Sequence, residues 1–220
     1  MRQFVPSYRG APWPDGASVL HVYARPDRSE PALARLLAAC AQAMAPYPIT
    51  PQNELLHCTI EMIADTTSDT ITEPDRAALT RALTRHLRDT PPLHLTAGSP
   101  IANSAGALLD LHPDGDLLAL RERVRQAIHE TRGPGALLHH GGRPHLSLGY
   151  AYDTASSDTL QSALRRISPS HVPLTIDAVE LLDVTWTRQP RPAGLSGWTM
   201  SWTPVATIPL PSGATERHNA

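Results

Sequence analysis

Apolar and polar positions recur with two different periods along this chain, and the switches between them mark out its elements. Residues 18–24, SVLHVYA, are rich in aliphatic and aromatic side chains and predict a strand, entered from a turn at Pro14-Asp15-Gly16. Over 28–45 the spacing changes: Leu33, Leu36, Leu37, Cys40 and Met44 fall three or four apart, which predicts a helix with one apolar face, Ser29 as its N-cap and Pro31 in its first turn. A strand at 54–64, a helix over 73–89 and a strand at 92–98 follow. The order then begins again, with a strand at 106–113, a helix over 114–133 closed by Gly133, a strand at 143–152, a helix over 156–167 and a long strand at 172–186. A closing strand is predicted at 197–205, where Trp198, Met200 and Trp202 alternate with polar neighbours.

The chain therefore divides into two halves, about 18–98 and 106–186, each reading strand, helix, strand, helix, strand. The repeat is one of pattern and not of letters. Residues 1–17 form an irregular arm broken by prolines, 206–220 a flexible tail, and 18–205 a single domain. Strands interleaved with helices predict α/β or α+β layers, two sheets each covered by helices.

Composition narrows the partners. Charged residues make up 18% of the chain and the net charge is −2, so no field exists to hold a long nucleic acid by its backbone. No stretch approaches the roughly 18 apolar residues of a membrane span, and the N-terminal residues lack a signal-peptide core. Cys40 and Cys58, the two cysteines, sit at apolar positions and read as reduced, structural thiols. These features predict a cytoplasmic monomer with neither DNA nor membrane as a partner.

The chemistry lies in a phrase written twice. LHCTIEM, at 56–62, and PHLSLGY, at 144–150, each place a histidine, one apolar residue and a hydroxyl on the second strand of their half. Side chains on a strand alternate, so His57 and Thr59 share one face while Cys58, Ile60 and Met62 share the other. By the same rule His145 and Ser147 face one way, and Leu146, Leu148 and Tyr150 the other. Helices cover the apolar faces, which leaves the two histidine faces to meet across a groove. Two imidazoles so placed can cleave a phosphodiester without a metal, one taking a proton from the attacking oxygen and one giving a proton to the leaving oxygen. Thr59 and Ser147 are then placed to hydrogen-bond the non-bridging oxygens as charge builds there.

The paired phrases resemble the H-x-[T/S]-x signatures of the two-histidine (2H) phosphoesterase superfamily, which includes 2',5'-RNA ligase-like and cyclic phosphodiesterase proteins. The resemblance covers about residues 18–205. It implies an α+β fold, bilobal and pseudo-symmetric, with two antiparallel sheets and outer helices around a central cleft. It also implies hydrolysis of a cyclic phosphate, such as the 2',3'-cyclic phosphate of an RNA end or small nucleotide, with no metal and no cofactor. His57 and His145 would be the acid and base, and Thr59 and Ser147 the phosphate ligands. Members often carry a cation shortly after the second motif where this chain has Tyr150; Arg143, two before His145, is the candidate to replace it.

Other residues compete for roles. His139 and His140 with His145 suggest a metal cluster, but no cysteine or carboxylate completes a ligand set, so no metal site is assigned. His21 shares a face with Tyr23 and reads as a half-buried strand histidine, and Trp198 and Trp202 read as core. Two further functions remain open: 2',5'-RNA ligation, chemically the reverse step, and a binding module that keeps the cleft without turnover.

Overall fold

The computed structural model describes residues 1–138 and 142–211. Its strands are β1 (Ser7–Tyr8), β2 (Ala11–Pro12), β3 (Ser18–Ala24), β4 (Ile49–Pro51), β5 (Cys58–Met62), β6 (Leu93–Ala102), β7 (Gly106–His112), β8 (His145–Ala151), β9 (Val172–Ile176), β10 (Ala178–Pro190) and β11 (Ser196–Pro209). Four α-helices join them, α1 (Pro31–Met44), α2 (Glu73–Leu87), α3 (Asp114–Arg132) and α4 (Ser157–Leu164). One antiparallel sheet runs β11-β10-β3-β5 and a second β4-β8-β7-β6-β9, which gives the α+β architecture with two lobes.

Both sheets differ from the two halves expected of the chain. β6 joins the second sheet, between β7 and β9, although it lies in the first half. The expected strand 172–186 is two strands, broken at Asp177, whose carbonyl accepts from the Leu210 amide at 2.7 Å; β9 stays in the second sheet and β10 crosses to the first. Aspartate is a poor strand former, and here it marks the crossing. The covers are likewise exchanged: α3, flanked in sequence by β7 and β8, packs with α2 over the first sheet, while α1 packs with α4 against the second.

Local chemistry explains most boundaries. α1 is capped by Glu30, whose carboxylate accepts from the Leu33 amide at 2.8 Å; Ser29, the expected cap, is instead held by Asp27 through its amide and hydroxyl. The arm is more ordered than expected. β1 and β2 make a tight hairpin about Arg9 and Gly10, at φ 54 and φ 78, the paired positive values of a two-residue type I′ turn. β11 runs on to Pro209 where a tail from 206 was expected.

The apolar residues form two clusters. The larger one fills the space between sheets and helices, with Leu20, Leu33, Leu83, Leu109, Leu120 and Leu146 almost fully enclosed. The smaller one lies on the cleft side of the first sheet and is largely aromatic, with Trp13, Tyr23, Met62, Trp186, Trp198 and Met200. Trp198 is core, as its alternation predicts; Trp202 is only partly buried, at the edge of that cluster.

Candidate active site

The two phrases meet where the sheets touch. His57 lies just before β5 and His145 opens β8, and the Ser147 amide donates to the His57 carbonyl at 3.3 Å. Each imidazole is held the same way. His57 Nδ1 donates to Leu55 O at 2.6 Å, and His145 Nδ1 to Arg143 O at 2.8 Å. A carbonyl oxygen can only accept, so Nδ1 carries a proton in both rings and Nε2 is the atom left for chemistry.

Each motif strand bulges immediately after its hydroxyl residue. Tyr23 pairs with Thr59 but Val22 with Glu61, leaving Ile60 unpaired; Leu108 pairs with Ser147 but Ala107 with Gly149, leaving Leu148 unpaired. An extra residue reverses the alternation beyond it. So Met62 and Tyr150, expected on the far face, line the cleft with the histidines, while Glu61 turns to the opposite side, beneath α3. Gly149 has no room for a side chain here: a Cβ would sit 2.5 Å from Ile49 Cγ2 and 3.0 Å from Thr50 O.

Both motif hydroxyls are backed by a tyrosine. Tyr150 Oη donates to Ser147 Oγ at 3.0 Å, and Tyr23 and Thr59 share a hydrogen bond. Burial pushes both phenols up, Tyr150 to about 12 and Tyr23 well above its ordinary value, so each stays a neutral phenol, and Tyr23 Oη donates to Met200 Sδ at 3.7 Å. Because the Tyr150 proton goes to Ser147, the Ser147 proton is available to a ligand.

The histidines differ in their surroundings. His57 is 2% exposed, its ring stacked on Tyr23 (centroids 4.3 Å, planes 14° apart) with Trp202 edge-on at 5.8 Å. Burial lowers its pKa to about 4, helped by the charges of His145 and Arg25 and opposed by the Leu55 carbonyl. His145 is half-buried. One site thus holds a firmly neutral imidazole and a second, wetter one.

These groups line a cleft of about 320 Å³ together with Thr59, Ser147, Arg143, Arg121 and His21. All five residues expected at the site therefore reach one cavity. Arg143 sits at its rim, its side chain 61% exposed, bonded to Asp114 at 3.2 Å and 3.6 Å from Asp110. Arg121 on α3 has no mark in the sequence. It lies 3.4 Å from Glu61 Oε2, the carboxylate that Arg125 also bonds at 2.5 Å, so a fully buried carboxylate holds two guanidinium groups, one of them lining the cleft. His21 is 5% exposed and also lines the cleft, stacked on Trp13.

His139 and His140 lie outside the described residues. Among the described residues no group of three or more histidine, cysteine or acidic side chains is placed to hold a metal. Cys40 and Cys58 are free and buried, and burial pushes both thiols up to about 12. No helix among the described residues is long and apolar enough to cross a membrane.

Residues 63–185 match the model of the 2'-5' RNA ligase superfamily, more than half the chain and including the whole second phrase. The chain belongs to this superfamily. It is thereby placed among the 2H phosphoesterases and RNA ligase-like enzymes, as the paired phrases implied. The first phrase lies just before the matched segment, so its assignment rests on the geometry above. The fold is shared with TT0787 of Thermus thermophilus (18% identity, TM-score 0.61, covering 89% of this chain and 99% of that one). It is shared as well with E. coli LigT complexed with 3'-AMP (16% identity, TM-score 0.59, covering 88% and 98%). No curated protein matches the sequence significantly.

Proposed function

We propose that this superfamily member is a phosphodiesterase hydrolysing a 2',3'-cyclic phosphate on a small nucleotide or an RNA end, in the cytoplasm, with no metal taking part. The observation that carries the reading is the pair of imidazoles on one cleft, each with its Nδ1 proton tied to a backbone carbonyl and a backed hydroxyl two residues on. His57, buried and neutral, is the base: its Nε2 takes a proton from water as the water oxygen bonds to phosphorus. His145 is the acid, giving a proton to the ribose oxygen as its bond to phosphorus breaks, and the product is a phosphomonoester. Thr59 and Ser147 donate to the non-bridging oxygens, with Arg121 nearby and Arg143 at the rim as the cationic groups. The 3'-AMP complex of the structurally similar LigT supports a nucleotide as the occupant.

The test is turnover of 2',3'-cyclic nucleotides and cyclic-phosphate-ended oligoribonucleotides in excess chelator. Undiminished hydrolysis supports the reading; dependence on added metal, or tight nucleotide binding without turnover by the wild type, sinks it. Ligation would instead show as salt-sensitive binding of tRNA-sized RNA with joined product, which the net charge of −2 disfavours.

Two further expectations follow from the same geometry. A base must be unprotonated, and His57 is held down to about 4, so the acid limb of kcat/KM should fall only towards pH 4. An acid limb near the ordinary imidazole value of about 6.5 would remove His57 from the base role. Tyr150→Phe deletes the hydrogen bond behind Ser147, worth about 1 kcal/mol, and should lower kcat/KM about fivefold with the fold intact. An unchanged rate would show that Ser147 orients itself.

A further inference from the structure

The N-terminal arm is part of the cleft. Phe4, Val5, Pro6, Ser7 and Trp13 line the same cavity as the histidines. The arm is tied down on both sides of it. Towards the second sheet, the Arg2 amide donates to Ser104 O and the Phe4 amide to Ala151 O, each at 2.8 Å. Towards the first, Gln3 Nε2 donates to Ser196 O at 2.7 Å and the Gly16 amide to Trp186 O at 2.9 Å. Between these anchors Phe4 stacks on Tyr150 (4.3 Å, 26°) and meets Trp186 at 5.3 Å, while Trp13 covers His21. This is a packed aromatic wall, fixed by backbone bonds to both lobes.

The remaining rim suits a polyanion no better. Arg143, the exposed cation there, is bonded to Asp110 and Asp114, so two carboxylates accompany one guanidinium. Among the described residues, a nucleic-acid backbone leaving by that side would find no row of cations to replace its counterions. The enclosed volume, about 320 Å³, lies at the small end of the roughly 300–1,000 Å³ of small-molecule sites.

We propose that the arm is a specificity wall, with Phe4 its central residue, and that it restricts this enzyme to mononucleotide-sized substrates. The inference rests on the function proposed above and goes beyond it, since it chooses the small nucleotide over the RNA end. The wall acts by occupying the space into which a second nucleotide would extend, and Phe4 does so while holding the Tyr150 ring beside Ser147.

The experiment compares adenosine 2',3'-cyclic phosphate with a short oligoadenylate carrying the same cyclic end. kcat/KM is measured for the wild type, for Phe4→Ala and for a chain lacking residues 2–6. Binding of adenosine 3'-phosphate and of the oligoadenylate 3'-phosphate is measured alongside by calorimetry. The wild type should favour the mononucleotide at least tenfold in both readouts, and either change to the arm should shift the ratio towards the oligomer severalfold or more. A wild-type ratio near one, or a ratio the two variants leave where it was, overturns the wall. Absence of turnover with the binding preference intact overturns the catalytic reading alone. If the shortened chain fails to fold, Phe4→Ala decides the matter, because it keeps every backbone anchor.

Discussion

His57→Ala and His145→Ala are each expected to lower kcat/KM on a 2',3'-cyclic nucleotide by about 10²–10⁴, the range for loss of a positioned acid or base. The two losses should not add: once one proton transfer is gone, the other group acts on a step that no longer limits, so the double variant should fall little below the worse single one. The variants should differ in their pH profiles. His57→Ala removes the acid limb, because the group that must be unprotonated is gone, whereas His145→Ala keeps that limb. Nucleotide binding should survive both changes, since the hydroxyls and Arg121 remain. If either alanine variant keeps activity within threefold of wild type, paired-histidine catalysis is wrong for this chain.

The largest effect on stability is expected at Glu61. Its side chain is fully buried, and its carboxylate receives Arg125 at 2.5 Å, Arg121 at 3.4 Å and the Met62 amide at 3.1 Å. Glu61→Leu would leave two guanidinium groups facing an apolar side chain, and breaking a buried ion pair from one side costs about 3–5 kcal/mol. Since Arg121 and Arg125 are 17% and 28% exposed and can turn partly to water, the lower end is expected, read as a shift in the urea midpoint. Removing both arginines as well should recover much of the loss, because no charge is then stranded. A Glu61→Leu cost below about 1 kcal/mol would show that the cluster is solvated and does not hold Arg121 in place.

What could be seen in the letters is what depends on neighbours in sequence. Helical spacing located α1 to α4, and the repeated histidine, apolar, hydroxyl phrase located both halves of the site, because side-chain direction on a strand is a local property. The bulges at Ile60 and Leu148 were not visible: one unpaired residue has no compositional mark, yet it moves Tyr150 from the far face to the cleft. Sheet membership was equally hidden, since a strand such as β6 or β10 chooses partners distant in the chain. Arg121 lies in a helix face that looks solvated until its buried partner is known. The prolines of the arm obscure any periodicity, and only its contacts with Tyr150, Trp186 and His21 show that it belongs to the site.

The chain passes between the layers of the two sheets repeatedly, and α3 packs under the first sheet although both strands beside it in sequence belong to the second. One apolar cluster also takes side chains from both sheets, Leu20 of the first and Leu109 and Leu146 of the second, so pulling the lobes apart would divide a shared core. Such an opening would cost on the scale of partial unfolding and would not serve as a cheap hinge. The mutual placement of the two motif strands, tied by the Ser147 amide to the His57 carbonyl, is consequently set when the protein folds, and on the proposed function a nucleotide would enter and leave a cleft whose walls do not swing apart.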